Sequence, residues 1–384
     1  MQTIPLLLIL FLLGSGCGSS DAASVPEEWV WDLPENVLPP RVPEDNPMSE
    51  AKVELGRFLF YDQRLSANET QSCASCHRQE LAFTDGLARA QGSTGEIHPR
   101  NSMMLANVGY AASLTWANDI LDLLEEQALV PMFGETPVEL GMAGMEEELL
   151  RRMRDDGRYP EMFAAAFPRD EDPIVLGNIT KAIGAFQRQL TSFNSKYDRW
   201  TLGDRTALNA SEQRGLALFL GEKLECFHCH GGFLFSQASD HEQNTFDQKA
   251  FMNNGLYNLD EEGSYPRGNE GLYDMTFEVA DKGKFKPPSL RNIAVTAPYM
   301  HDGSIETLED VLDHYSRGGR LVPEGTLIDG QDVSGDGKDN PNKSAFIKGF
   351  DLSEQEREDV LAFLRALTDE SLLTNPAYSD PFAE

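Results

Sequence analysis

Cys73 and Cys76 place two thiols three positions apart, and His77 follows the second thiol directly. This pattern suits covalent attachment of a haem, because two thiols can form thioethers with its vinyl groups while the histidine binds the iron. The same spacing returns in a second set: Cys226, Cys229 and His230. Two such motifs in one chain predict two c-type haems, with a histidine ligand to each iron.

Zinc is the other ion that paired cysteines commonly hold, but a structural zinc site needs further Cys or His ligands in a tetrahedral arrangement. Each motif has a histidine directly after its second cysteine, and neither has another cysteine pair nearby. Haem is therefore favoured over zinc. The chain has 5 cysteines, so four thioethers leave only Cys17, and no disulfide is expected.

The charge of the chain limits its partners. Asp and Glu number 63 against 32 Lys and Arg, which gives a formal net charge of -31. Nucleic-acid phosphates and an anionic membrane surface would both repel such a chain. A macromolecular partner is expected to be neutral or basic where it makes contact.

The N-terminus resembles an export signal. An apolar run from Ile4 to Leu13 is too short to span a bilayer, and small residues follow it up to Cys17. Residues 1–16 are therefore predicted to be a signal peptide, with no transmembrane span. Two interpretations of Cys17 stay open, lipidation or ordinary cleavage nearby, and a lipid there would tether the protein without crossing the membrane.

Residues 17–48 are rich in Pro, Asp, Glu and Ser and predict a linker, which Trp29 and Trp31 hold against the body. Beyond the linker, we expect an N-terminal haem domain over 49–203 and a C-terminal haem domain over 204–384. The predicted fold is mostly α, with two c-type cytochrome domains packed around two covalently attached haems and joined by long loops. Outside the motifs, the two halves are too different to indicate a repeat.

Apolar periodicity and capping residues predict helices over these segments: the stretch that follows Ser49, 118–130, 146–154, 174–190, 210–220, 307–315 and 353–367. From His230 to Gly283 the chain is rich in Gly, Asn and Tyr, and no regular element is predicted there.

Gln127 is out of place in the predicted helix over 118–130. Ile120 and Leu124 share its apolar face, and Gln127 lies on the same stripe, seven residues after Ile120. An amide in such a position needs a polar partner. That partner is either a backbone group or an oxygen species bound at a haem, and both stay open.

The second haem needs a sixth iron ligand or an open position. Within the helix over 307–315, Tyr315 faces inward, whereas His314 lies about 100 degrees round the helix, on the polar side. Periodicity thus argues against His314 and does not decide among the other candidates nearby: Met300, His301 and Tyr315.

The stretch from Asp332 to Asp339 is similar to the start of a calcium-binding EF-hand loop. Lys343, however, stands where that loop needs a bidentate glutamate. The sequence therefore disfavours a metal site at this stretch.

Over nearly the whole mature chain, these features resemble the bacterial di-haem cytochrome c peroxidase and MauG superfamily, and within it the MbnH-like di-haem enzymes. Besides the two motifs, the segments that carry the resemblance are Leu55 to Phe60, Arg64 to Ser66, Pro99 to Asn101, Trp116 to Glu139, Gly283 to Pro287, Leu290 to Asn292 and Thr296 to Gly303.

The resemblance implies that the first haem reacts with peroxide and that the second stores or relays an oxidising equivalent. It implies further that Gln127 and Glu139 position peroxide and move its proton, and that Trp116 lies between the haems as a stepping stone for electrons. The spacing to Glu139 is slightly longer than the family pattern, so Glu135 remains an alternative for the acid.

Three more roles follow from the resemblance. Asn101, Thr296 and Pro298 look like the residues that supply oxygen ligands to a calcium ion between the domains. Tyr315 stands where the peroxidases have methionine and the MauG-like enzymes tyrosine, and an anionic oxygen ligand stabilises high-valent iron better than a thioether. His98 lies where some peroxidases keep a removable distal ligand, although a haem-propionate contact or a surface position is favoured.

The function that the resemblance implies is a hydrogen-peroxide-dependent di-haem oxidoreductase. It would form a two-haem high-valent state and oxidise a residue, expected to be tryptophan, of a secreted copper-binding partner protein. One alternative is a peroxidase fed by a small cytochrome or copper protein, and a second is a non-catalytic di-haem electron carrier. The expected location is the periplasm or, if Cys17 is lipidated, a tether at the outer membrane.

Overall fold

The computed structural model describes residues 29–245 and 249–383. The predicted signal peptide and Cys17 lie outside the described residues. Within these two ranges, no helix is both long enough and apolar enough to cross a membrane. Residues 29–48 contain turns but neither helix nor strand. The rings of Trp29 and Trp31 meet edge to face, 5.8 Å apart, and pack on the core of the first half.

Helices joined by long loops make up most of the fold, in agreement with the predicted fold class. The α-helices of the described residues are α1 (Glu50–Tyr61), α2 (Cys73–Cys76), α3 (Leu124–Gln127), α4 (Leu129–Phe133), α5 (Glu146–Asp155), α6 (Tyr159–Ala166), α7 (Leu176–Gln189), α8 (Lys196–Thr201), α9 (Ala210–Phe219), α10 (Phe227–His230), α11 (Tyr273–Thr276), α12 (Leu308–Arg317), α13 (Glu354–Arg365) and α14 (Glu370–Leu373). Short 3-10 turns lie at Gln63–Leu65, Gln79–Leu81, Val108–Tyr110, Val279–Asp281, Ile293–Val295 and Gly337–Asp339.

The small amount of sheet lies in the second half. The strands are β1 (Leu321–Val322), β2 (Leu327–Ile328), β3 (Gln331–Asp332) and β4 (Gly335–Asp336). They form two antiparallel pairs, in which Leu321 lies opposite Asp336 and Leu327 lies opposite Asp332.

Capping side chains set the starts of several predicted helices. The hydroxyl of Ser49 accepts the backbone N–H of Lys52 at the start of α1, and Thr307 caps α12 in the same way. Ser353 forms a reciprocal capping box with Glu356 at the start of α13. Each side chain satisfies a backbone donor that has no partner inside the helix. These three helix starts are confirmed.

The predicted helix over 118–130 is wrong in its first half. Residues 118–123 are irregular, and Ile120 is 74% exposed, so it does not lie on a buried face. The side-chain oxygen of Asn118 accepts the backbone N–H groups of Ile120 and Leu121, both at 2.9 Å. A local side-chain acceptor of this kind competes with helical hydrogen bonds. Helical structure begins only at Leu124.

The two halves share a helix contact that the sequence did not indicate. Gly56 of α1 lies against α7, where an added Cβ would be 1.9 Å from the carbonyl oxygen of Ala182. Gly215 of α9 lies against α13, and its Cβ would be 1.9 Å from the carbonyl oxygen of Asp359. Only glycine allows such an approach, because any side chain would occupy the space of the carbonyl.

An aromatic cluster forms beside each close contact. In the first half, Phe60 lies 6.1 Å from Phe83 and 5.2 Å from Phe186 between ring centroids. In the second half, Phe219 lies 5.9 Å from Phe235 and 5.4 Å from Phe363 between ring centroids. The halves are therefore structural repeats built around the two haem motifs.

The loops that follow α7 and α13 occupy equivalent places in the two halves. Hydrogen bonds from these loops connect one half to the other. Each of these loops is met by an asparagine with a left-handed backbone, Asn107 (φ 61°) or Asn292 (φ 58°), whose N–H donates to a carbonyl just after α7 or α13. The amide of Asn292 donates to the hydroxyl of Ser192 at 3.0 Å, and that hydroxyl donates to Asp369 at 3.1 Å. All three side chains are buried, so this network fixes the position of one half against the other.

The C-terminal tail returns to the first half. Leu372 and Tyr378 are buried in the core that contains Phe60, and Cys73 packs against the same core. The side chain of Gln79 donates to the carbonyl of Leu372 at 2.9 Å. Leu372 and Tyr378 therefore help to enclose the first haem motif.

We expect Gly56→Ala and Gly215→Ala each to lower the free energy of unfolding by about 1–3 kcal/mol, because the new methyl group overpacks a helix contact. Gly177→Ala in the first turn of α7 is the matched control, since no atom lies within 4 Å of its added Cβ. The control should be neutral or stabilising by about 0.4–1 kcal/mol. Denaturant unfolding of the three variants measures the difference, and equal stability of all three would contradict the close contact.

Candidate functional site

The first motif is presented by α2, a single helical turn. The thiols of Cys73 and Cys76 are unpaired, and burial raises the pKa of each to about 12. Nδ1 of His77 lies 2.8 Å from the carbonyl oxygen of Phe83. A carbonyl can only accept, so Nδ1 carries the hydrogen and Nε2 is the nitrogen that can bind a metal.

The second motif is arranged in the same way on α10. Cys226 and Cys229 are unpaired, and burial raises their pKa values to about 12 and about 11. Nδ1 of His230 donates to the carbonyl oxygen of Phe235 at 3.0 Å. Both histidines are thus oriented by a carbonyl that belongs to an aromatic residue of the neighbouring cluster.

Both motifs open onto one cavity of about 710 Å³. It brings together almost all of the site residues predicted from the sequence: Cys76, His77, Asn101, Trp116, Gln127, Glu139, Cys226, Cys229, His230, Thr296, Pro298 and Tyr315. Cys73 lines a smaller adjoining cavity of about 50 Å³, which it shares with His77, Gln127 and Glu139.

The polar lining of the large cavity fits haem. Lys286 is buried, and its ammonium donates to the carbonyl oxygen of Ser113 at 2.6 Å. Burial lowers the pKa of Lys286 to about 8. A buried ammonium needs more than one neutral acceptor. The propionate carboxylates of a haem would supply the missing negative charge, and the two pairs of unpaired thiols would supply its covalent attachment.

Glu139 and Gln127 line both cavities beside the first motif. Burial raises the pKa of Glu139 to about 7. Glu135, the alternative acid, is exposed and lines neither cavity. His98 lies next to Glu139, with its Nε2 4.0 Å from Oε1 of that carboxyl. The geometry therefore favours Glu139 over Glu135 as the acid near the first haem.

Trp116 lines the cavity that both motifs share, and it is hydrogen-bonded to a predicted calcium ligand. It is 9% exposed, and its indole N–H donates to the carbonyl oxygen of Asn101 at 2.8 Å. The amide of Asn101 donates to Leu87, and the hydroxyl of Thr296 donates to Ile293, which leaves both side-chain oxygens able to accept. Together with Pro298, which follows a cis peptide bond, these hard oxygen groups suit calcium.

Tyr315 lies beside the second motif. Burial raises the pKa of its phenol, and a hydrogen bond from the side chain of Asn254 opposes that rise. The amide of Asn254 also lies 3.3 Å from the sulfur of Met300. The sequence analysis missed Asn254, which lies in a loop with no periodic pattern. The only signal for it was the Asn-Asn-Gly run that starts at Asn253.

The predicted polar position of His314 is wrong. The residue is 5% exposed, and neither ring nitrogen has a hydrogen-bond partner among the described residues. Charged groups near it include Arg317, Arg320 and Lys343. The backbone of Asn254 and the side chains of Arg320 and Lys343 approach the ring from outside α12, and periodicity within one helix cannot reveal such neighbours.

The stretch that resembles an EF-hand is held by cationic side chains. Arg317 forms an ion pair with Asp336 at 2.5 Å, and the ammonium of Lys343 donates to the carbonyls of Gly318 and Lys338, both at 2.6 Å. In the part of the chain that the structure describes, no group of three or more His, Cys, Asp or Glu side chains could hold a metal ion.

Two haem-binding motifs that share one cavity, with a carboxyl and an amide at one motif and a phenol at the other, define a di-haem c-type oxidoreductase. A sequence profile described as di-haem cytochrome c peroxidase matches residues 50–206. The methylamine utilization protein MauG of Methylorubrum extorquens is 34% identical over 87% of this chain and 82% of its own length. The chain belongs to the di-haem cytochrome c peroxidase and MauG family and is a peroxidase-type oxidoreductase.

Two further comparisons agree with this assignment. The cytochrome-c peroxidase IdrP1 of Pseudomonas sp. (strain SCT) is 35% identical over 86% of this chain and 84% of its own length. A crystal structure of a MauG-like protein associated with microbial copper homeostasis is 50% identical, with a TM-score of 0.89. That similarity covers 92% of this chain and all of the other. Members of this family carry two c-type haems.

The pKa of Glu139 predicts how the peroxide reaction depends on pH. If the ionised carboxylate takes the proton from peroxide, the rate should rise with pH, with a midpoint near 7, because burial keeps the acid form up to that pH. Glu139→Gln should remove this rise and slow the reaction by roughly 10²–10⁴-fold. Stopped-flow absorbance of the haem-loaded protein from pH 5 to 9 measures it.

Glu135→Gln is the control for this measurement, because Glu135 is exposed and outside both cavities. It should keep the rate and the midpoint of the unaltered protein. Loss of the pH dependence in Glu135→Gln, with no change in Glu139→Gln, would assign the acid to Glu135.

Proposed function

We propose that this enzyme uses hydrogen peroxide to oxidise a tryptophan of a secreted copper-binding protein. The observation that carries the proposal is the phenol of Tyr315, which lines the cavity beside the second motif and is hydrogen-bonded by Asn254. A phenolate ligand favours a more highly oxidised iron than a thioether does. The similar structure associated with microbial copper homeostasis supports a copper protein as the partner.

The residues around the first motif have separate roles in this proposal. The amide of Gln127 holds peroxide by a hydrogen bond, and the carboxylate of Glu139 takes the proton from one peroxide oxygen and returns it to the other. The pKa of Glu139, about 7, suits both directions of that transfer. When bound, the haems supply the redox chemistry that accepts the oxidising equivalents of peroxide.

Trp116 connects the two sites. Its indole is buried, and the hydrogen bond to the carbonyl of Asn101 fixes the orientation of the ring. A fixed, buried indole can pass electrons between the haems without reorganising water. Calcium held by Asn101, Thr296 and Pro298 would stabilise this region, since Asn101 would hold the ion while its carbonyl accepts the indole N–H of Trp116.

The partner is expected to approach from the same cellular compartment. The proposed signal peptide over 1–16 places the enzyme outside the cytoplasm, in the periplasm or tethered at the outer membrane through Cys17. The net charge of -31 favours a partner with a neutral or basic contact surface.

A direct test mixes the haem-loaded enzyme, peroxide and a candidate secreted copper-binding protein, followed by peptide mass spectrometry of that protein. The proposal expects a mass change at a tryptophan, with kynurenine as the product, that requires both enzyme and peroxide. An unchanged tryptophan, together with rapid oxidation of a small reduced cytochrome, would instead favour a conventional peroxidase of the kind named among the relatives.

Tyr315→Phe should abolish oxidation of the partner while haem binding is kept, because the anionic oxygen ligand is lost. Tyr197→Phe is the matched control, since Tyr197 packs on Phe235 at 4.9 Å but does not line either cavity. Haem content, and the near-infrared absorption band of two coupled haems after peroxide addition, are measured alongside. Full partner oxidation by Tyr315→Phe would contradict the role of the phenol.

A further inference from the structure

A chain of aromatic rings leads from the shared cavity into the second half. Phe285 and His301 line the cavity, and their rings stack 3.6 Å apart. Tyr265 lies 6.1 Å from Phe285 and 6.2 Å from His301 between centroids. Tyr257 follows 5.5 Å beyond Tyr265. His301 is also linked to Trp116, because its carbonyl accepts the backbone N–H of Asn101, whose own carbonyl binds the indole.

Tyr257, the last ring in this aromatic series, has a proton acceptor. The phenol of Tyr257 donates to Oδ2 of Asp302 at 2.6 Å. The two residues are 1% and 7% exposed. Arg320 lies against the pair, with its guanidinium 5.7 Å from the ring centroid of Tyr257 and 2.8 Å from the hydroxyl of Ser304. A short hydrogen bond from a phenol to a buried carboxylate is a strong, charge-assisted one.

This geometry matters because a phenol that loses an electron becomes a strong acid. Its proton must leave at once, and in a buried site it needs an acceptor within hydrogen-bond distance. Asp302 is that acceptor, so the electron can leave Tyr257 while the proton moves only across an existing hydrogen bond. Tyr265 donates to the amide oxygen of Asn253 at 2.9 Å, and an amide is a poor proton acceptor. Tyr257 is therefore better placed than Tyr265 to donate an electron.

We propose that Tyr257 is an internal one-electron donor, which returns an electron to the haem pair when peroxide has been consumed and no partner protein is bound. Reduction of one peroxide to two waters takes two electrons and two protons, and the bound haems would supply both electrons. Tyr257 then gives one electron back to the haem pair through Tyr265. In doing so it becomes a neutral phenoxyl radical, while its proton moves to Asp302. The second oxidising equivalent stays on the haem pair. The inference rests on the peroxide reaction of the family and not on the proposed partner.

The first half contains a similar tyrosine–aspartate pair, but no series of aromatic rings leads from it to the cavity. Tyr159 donates to Oδ2 of the buried Asp62 at 2.6 Å, and the guanidinium of Arg64 lies 5.4 Å from its ring. Its ring packs on Phe163 at 6.2 Å, and Phe163 stacks on Phe167. None of these three aromatic residues lines either cavity. Tyr159 thus has the same hydrogen bond but no aromatic route to the haems.

The test mixes the haem-loaded protein with peroxide in the absence of any partner and records electron paramagnetic resonance spectra of rapidly frozen samples. We expect a tyrosyl radical signal that narrows when the protein contains ring-deuterated tyrosine. Tyr257→Phe should lose the signal, and Tyr159→Phe should keep it. Haem content and thermal unfolding of each variant show whether it is folded.

A second variant and a second readout cover the case in which Tyr257→Phe does not fold. Tyr265→Phe keeps the Tyr257 and Asp302 pair but interrupts the route, so it should lower the yield of the radical. After repeated additions of peroxide, peptide mass spectrometry should find more methionine sulfoxide in either of these variants than in Tyr159→Phe.

Three results would overturn the inference: no tyrosyl radical in the unaltered protein, an undiminished signal in folded Tyr257→Phe, or an equal loss in Tyr159→Phe. None of these results depends on partner oxidation. A failure of the proposed function would therefore be seen separately, in the peptides of the copper protein.

Discussion

The closest approach of two helices decides the form of each haem site. Because Gly56 has no side chain, α1 lies directly on the carbonyl of Ala182 in α7, and the same contact joins Gly215 to Asp359 in α13. The phenylalanine one turn after each glycine then meets a second ring on the partner helix and a third from the loop after the motif. The carbonyl of that third residue holds the motif histidine. Backbone packing is in this way transmitted to the orientation of an iron ligand.

The two sites differ in what the segments outside these four helices add to this shared scaffold. Near the first motif, the segment that leads to α4 and beyond brings an amide and a carboxyl, Gln127 and Glu139, to the cavity. Near the second motif, α12 and the loop at Asn254 bring a phenol and an amide. The repeated helices make the sites alike in how they hold a haem. Segments outside those helices make the sites unlike in chemistry, and these segments are helical at Gln127 and Tyr315 and irregular at Glu139 and Asn254.

Local signals in the sequence were sufficient to predict part of this structure. The two motifs, the caps at Ser49, Thr307 and Ser353, and the inward position of Tyr315 all depend on neighbours within a few residues. The repeat could not be found in this way, because the interval between the glycine and the motif differs in the two halves. The burial of His314 depends on groups outside its own helix, and the role of Asn254 depends on its distance in space to Tyr315. These features depend on contacts between residues that are distant in sequence, and such contacts leave no periodic pattern.

The return of the chain end to the first half has a consequence for the order of assembly. Leu372 and Tyr378 complete the wall on which Cys73 packs, although they lie far beyond that cysteine in the sequence. The first motif is therefore synthesised long before its enclosure exists, and its thiols stay open to the machinery that attaches the porphyrin. Docking of the tail then closes the wall. A chain that stops early would keep an open first site, and such a product can be distinguished from the finished protein by that exposure alone.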